Sequence, residues 1–200
     1  MAGKYIEFLN PGYSTLFTRD LQYDLNTSFT TSESGNVFDP DNANPLVEGE
    51  WLSFTAAGKV QRFGAGTQQA GDNVANVPCA LHFSERGRYD AQITRKAHIV
   101  TGPNGFDFKT KLCVVDASAA AGTRLFVADV EDASGNFKKG LMDATSLENS
   151  SAHSAFAVAT SAGTVENANY YWSPGYIQRR IGTGEIVVHF DPQLILCIAS

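Results

Sequence analysis

Residues 106–114 read FDFKTKLCV, and their order of apolar and charged side chains decides the fold class. Phe106, Phe108, Thr110, Leu112 and Val114 fall on one side of an extended chain, with Asp107, Lys109 and Lys111 on the other. A helix would scatter these residues around its axis, whereas a strand with one buried face sorts them cleanly. The preceding QITRKAHIV (92–100) alternates too, and GPNG (102–105) separates the two runs. Together they predict an antiparallel hairpin.

The same texture continues along the chain. RLFVADV (124–130), ASGN (133–136) and FKKGLM (137–142) predict a second hairpin. AFAVATS (155–161) and EIVVHF (185–190) read as further strands, with Ile186, Val188 and Phe190 on one side, and LILCIA (194–199) as a buried closing strand. Only DASAAAG (116–122) and DATSLENSSAH (143–153) permit short helices, with Asp116 and Asp143 as N-caps. The expected fold is all-β: an antiparallel β-sandwich or β-barrel (tulip-like) with an extended N-terminal arm.

The arm is drawn from composition and charge. Residues 26–45 are polar, carry Pro40 and Pro45, and have little to bury. Residues 1–50 hold two basic side chains, Lys4 and Arg19, against eight acidic ones. The chain totals are fifteen basic and twenty-one acidic, so the net charge of -6 lies entirely in this first quarter. The division expected is an arm at 1–45 and a β-rich domain at 46–200. Trp51, in NPLVEGEWLSF (44–54), is expected to anchor the first strand of that domain in its core. A pI near 5.1 argues against nucleic-acid binding. No apolar run is long enough for a membrane span. Cys79, Cys113 and Cys197 are widely spaced and lack a CxxC pair. Free thiols, synthesis in a cytoplasm and no secretion are expected.

Catalytic and metal signatures fail one by one. His82, His98, His153 and His189 stand at no zinc spacing. DPDNANPLVEGE (39–50) imitates a calcium loop but places Asn44, then Pro45, where the turn needs glycine. Asp39 and Asp41 are therefore expected in capping or Asx turns. GAGTQQAG (64–71) and GTGEIV (182–187) lack the third glycine and the helix of a phosphate loop. Glu48 and Glu50 would share one strand face and cannot flank a sugar from opposite sides. Neither an enzyme nor a cofactor is expected. The candidate partner-binding residues are Tyr5, Phe8, Tyr13 and Phe17 in the N-terminal runs, with Arg86, Arg88, Arg179 and Arg180. Lys138-Lys139 adds another basic doublet, expected at the surface.

NPLVEGEWLSF, FSERGRYDAQ (83–92), CVVDASAAAGTRLFVADV (113–130) and GYIQRRIGTGEIVVHF (175–190) occur in an order that resembles small structural proteins of tailed bacteriophages. In that group, capsid decoration or cement proteins, an N-P-L-x-x-G-E-W opening precedes an E-[KR]-G-R-x-D strand entry. Asn44, Pro45, Leu46, Gly49, Glu50 and Trp51 match the first motif, and Glu85, Arg86, Gly87, Arg88 and Asp90 the second. The resemblance implies a non-catalytic virion protein on the capsid exterior. Its partners would be the major capsid protein and further copies of itself, a trimer ahead of a dimer. A phage tail or baseplate protein is the alternative. A third reading is a carbohydrate-binding module using Tyr170, Tyr171, Trp172 and Tyr176 of NANYYWSPGY (167–176).

Overall fold

In the computed structural model the alternating run becomes strand β7 (Asp107–Thr110), with Phe108 and Thr110 buried and Asp107 and Lys109 partly exposed. The structure describes residues 5–9, 18–23, 37–39, 41–54, 57–63, 79–81, 95–100, 105–132, 135–149 and 168–198. AFAVATS lies outside them. The remaining strands are β1 (Ile6–Phe8), β2 (Thr18–Gln22), β3 (Trp51–Phe54), β4 (Val60–Arg62), β5 (Cys79–Leu81), β6 (Lys96–Val100), β8 (Cys113–Val114), β9 (Arg124–Glu131), β10 (Phe137–Asp143), β11 (Ala168–Gly182) and β12 (Glu185–Ile198). One short helix, α1 (Ala144–Glu148), follows β10. Its N-cap Asp143 directs its carboxylate to the Ser146 hydroxyl and the Asp116 N–H, and no side-chain cap forms.

The strands form a seven-stranded sheet, ordered β1-β7-β12-β11-β9-β10-β8, and a five-stranded sheet, ordered β2-β6-β5-β3-β4. Their ladders are antiparallel except β8 against β10. One core joins the sheets: Trp51, Phe63 and Val100 from the smaller meet Phe106, Phe108, Val127, Ile177, Val188 and Phe190 from the larger. Trp51 is 1% exposed and stacks on Phe190 with centroids 6.4 Å apart and planes 7° from parallel. Trp51→Ala is expected to lower unfolding free energy by about 3–5 kcal/mol, through lost burial and the cavity left behind. Equilibrium denaturation checks this, and an unchanged midpoint would contradict it.

The β9–β10 hairpin forms as expected, with Phe137 opposite Glu131 and Asp143 opposite Leu125. The long β11–β12 hairpin surrounds the expected EIVVHF strand. Its ladder breaks between Ser173 and Gly175, opposite Pro192 on β12, because neither Pro174 nor Pro192 has an N–H to donate. Gly175 is required at the break: a Cβ there would lie 2.0 Å from the His189 carbonyl oxygen.

Two strand expectations are corrected. β6 and β7 do not form a hairpin: β6 pairs with β2 and β5, while β7 pairs with β1 and β12. The chain crosses between sheets because Gly105 and Phe106 exchange backbone hydrogen bonds with Phe190 of β12, each 2.8 Å long. The facing of 106–114 also changes near its end. Leu112 is buried, but a bend after Thr110 resets the phase, so Cys113 points inward and Val114 is 45% exposed.

The stretch expected to be an arm is redrawn where it is described. β1 pairs with β7 in the larger sheet and β2 with β6 in the smaller. Ile6, Tyr23, Val37 and Phe38 are at most 2% exposed, and the Leu46 N–H donates to the Val37 carbonyl at 2.7 Å. These residues are buried almost completely, so the described parts of residues 1–45 belong to the two sheets and their core.

Candidate functional site

The NPLVEGEW segment builds a buried polar brace. Gly49 adopts φ +92°, and a Cβ there would come 3.1 Å from the Ile6 Cβ, so the turn that delivers Glu50 is closed to larger residues. Glu50 is fully buried, and its Oε1 accepts the Arg62 Nε–H at 2.7 Å. The same carboxylate accepts the N–H of Val47 at 3.1 Å and of Lys139 at 3.3 Å. Arg62 reaches past Glu50 to the Asn44 carbonyl at 2.9 Å, while its own backbone N–H donates to the Tyr23 hydroxyl at 3.1 Å. Residues 44–50 are thereby tied to β4 and β10 together.

Lys138 and Lys139, expected at the surface, are part of this brace and only 1% and 9% exposed. β10 is covered on both faces: Leu141 lies in the shared core, while Val130, Met142 and Leu147 form a cluster on the outer side. Lys138 donates to the Asn44 side-chain carbonyl and the Pro45 carbonyl, and Lys139 pairs with Asp129. Burial pushes the Lys138 pKa down, Glu50 raises it, and the Arg62 guanidinium lowers it further. No local signal in FKKGLM separates these lysines from solvated ones; the Asn44, Glu50 and Arg62 that hold them are distant in sequence.

A second arrangement crosses the outer face of the larger sheet. Asp107 on β7, His189 on β12, Tyr176 on β11 and Arg124 on β9 stand in successive cross-strand register. His189 Nδ1 lies 2.6 Å from Asp107 Oδ1, and the Tyr176 and His189 ring centroids are 5.1 Å apart. The Arg124 guanidinium sits 5.3 Å from the Tyr176 centroid and donates to Asp191 Oδ2 at 2.7 Å. Gln178 and Gln193 extend the row by donating to Asp107 and Asp191. This partly exposed row holds its charges in mutual contact and presents a fixed polar surface. His189 finds its partner in Asp107.

The proposed contact residues divide. Tyr5 packs beside the outer cluster of β9 and β10, and burial, then Asp132 and Glu50, raises its pKa. Phe8 leans on the core, its ring 5.7 Å from Phe106. Arg179 is exposed. Arg180 is occupied, donating to the carbonyls of Asp116, Ala117 and Ala119. Tyr13, Phe17, Arg86 and Arg88 lie outside the described residues. Of the aromatic group, Trp172 packs against the shared core and Tyr176 belongs to the outer row, so the two do not form one platform. Glu48 and Glu50 do not act as a pair, since Glu50 is sealed inside. Asp39 forms an Asx turn, its Oδ1 accepting the Asp41 N–H at 3.0 Å.

Beneath the larger sheet, Cys113 is a buried free thiol whose pKa is pushed up to about 12, chiefly by burial, with Arg180 opposing and Glu185 reinforcing. The folded thiol binds its proton more tightly than the unfolded one, so its stabilising contribution is intact below about pH 9 and declines as pH rises toward 12. At pH 8, iodoacetamide should leave Cys113 unmodified in native protein and modify it in denaturant. Peptide mass mapping checks this, and rapid native labelling at Cys113 would contradict it.

Comparison with protein-family models, curated proteins and solved structures finds no match.

Proposed function

We propose that this chain is a structural protein of the tailed-phage virion, a capsid decoration or cement protein bound to the outside of the head. The observation that carries this reading is the use made of the resemblance-bearing residues. Asn44, Gly49, Glu50 and Trp51 are committed to bracing one sheet against the other. A cement protein works by holding capsid subunits together, and a stiff scaffold transmits load between contacts better than a loose one. The ordered outer row from Asp107 to Arg124 supplies a pre-organised contact face, and Phe137, 60% exposed, supplies an apolar anchor beside the brace. The protein assembles as a homo-oligomer on the major capsid protein.

The test is co-sedimentation of purified protein with heads that lack it. Saturable binding to heads is expected, weakening as salt rises because part of the attraction is between charges. Failure to bind heads, with binding to purified tails or baseplates, would replace this reading with the tail alternative.

A further inference from the structure

We infer that Lys138 and Asn44 are positioned to join as an internal isopeptide, a covalent staple from the NPLVEGEW segment to β10. Lys138 Nζ lies 2.5 Å from Asn44 Oδ1 and 2.6 Å from the Pro45 carbonyl oxygen. At 1% exposure the lysine is shut away from water. Among the described residues its ammonium contacts only these neutral carbonyls. Glu50 and Asp132 act on it through space, against burial and the Arg62 guanidinium, which favour loss of its proton. The free amine is the nucleophilic form.

Asn44 is held as the acceptor. Its side-chain NH2 donates to the Phe137 carbonyl at 3.4 Å, which turns its carbonyl end toward Lys138. Its backbone carbonyl is fixed by Arg62 at 2.9 Å, and its backbone N–H by the Asn42 side chain at 2.9 Å. Such positioning replaces an unfavourable bimolecular encounter with a contact already made. Glu50, buried in the same cluster, steadies the positive nitrogen that forms on attack.

The reaction balances without a further reagent. Lys138 loses its ammonium proton to solvent before residues 44–50 close over it, and the neutral Nζ then adds to Asn44 Cγ, forming the new C–N bond. A proton then passes from Nζ to the amide nitrogen, the Cγ–Nδ2 bond breaks, and ammonia leaves. The product is a secondary amide closing a separation of 94 residues. It stands or falls independently of where the protein binds.

Intact-mass and peptide analysis of purified wild-type protein decides the matter. The expected mass is about 17 Da below that of the sequence, from loss of ammonia. Tandem spectra should show a branched peptide joining residues 44 and 138. The linked fraction should accumulate faster at about pH 9 than at about pH 6, as the free amine becomes more abundant. Lys138→Arg and Asn44→Ala should each retain full mass. Wild-type protein at full mass after prolonged incubation, with both residues in unbranched peptides, would overturn the proposal. So would a loss confined to one linear peptide, as ring closure at an asparagine gives. Should either variant fail to fold, the wild-type peptide map alone still decides.

Discussion

A chain that begins at Leu46 is expected to lose cooperative folding. Removing residues 1–45 strips β1 from the larger sheet and β2 from the smaller, each an edge strand in antiparallel register with its neighbour. It also removes Ile6, Tyr23, Val37 and Phe38, all at most 2% exposed. Burying a large apolar side chain contributes about 1.5–3 kcal/mol. Four such losses rival the whole margin of a domain, about 5–15 kcal/mol. The truncated chain should be insoluble, or soluble without a sharp thermal transition. A soluble product that unfolds cooperatively near the full-length midpoint would show that the N-terminal segments are dispensable.

Glu50→Ala is expected to cost about 3–5 kcal/mol, the range for breaking a buried ion pair from one side. The loss exceeds the pair itself. Arg62 is left charged with its side chain only 3% exposed, and the N–H groups of Val47 and Lys139 lose their acceptor. Replacing Glu50 and Arg62 together, by Leu and Met, should recover part of the stability, because an apolar pair leaves no stranded charge. Urea denaturation of the single and double variants measures both effects. A single variant within about 0.5 kcal/mol of wild type would place Glu50 among ordinary surface residues.

The strands legible in the sequence are those with one covered face. Asp107 and Lys109 against Phe108 and Thr110, or Ile186, Val188 and Phe190 in β12, sort by period two whatever they pack against. What stayed hidden was non-local. GPNG signals a turn but not which sheet receives the next strand, and Phe190 makes that choice from far along the chain. β10 is buried on both faces, so its paired lysines break the rule that charge marks the surface. The apolar residues of 26–45 are few, and composition weighs their number, not how deeply Val37 and Phe38 are buried. NPLVEGEW was visible as a motif, but its purpose depends on Arg62 and Lys138, which only the fold brings to it. The outer row from Asp107 to Arg124 combines four strands whose register no local pattern records.

Localising this chain on the intact particle tests the account most directly. Cryo-electron microscopy of the virion, at a resolution that traces strands, should show the two-sheet fold on the outer surface of the head. It should contact the major capsid protein and neighbouring copies of itself. Density for the chain in the tail or baseplate, or its absence from the particle, would contradict the account.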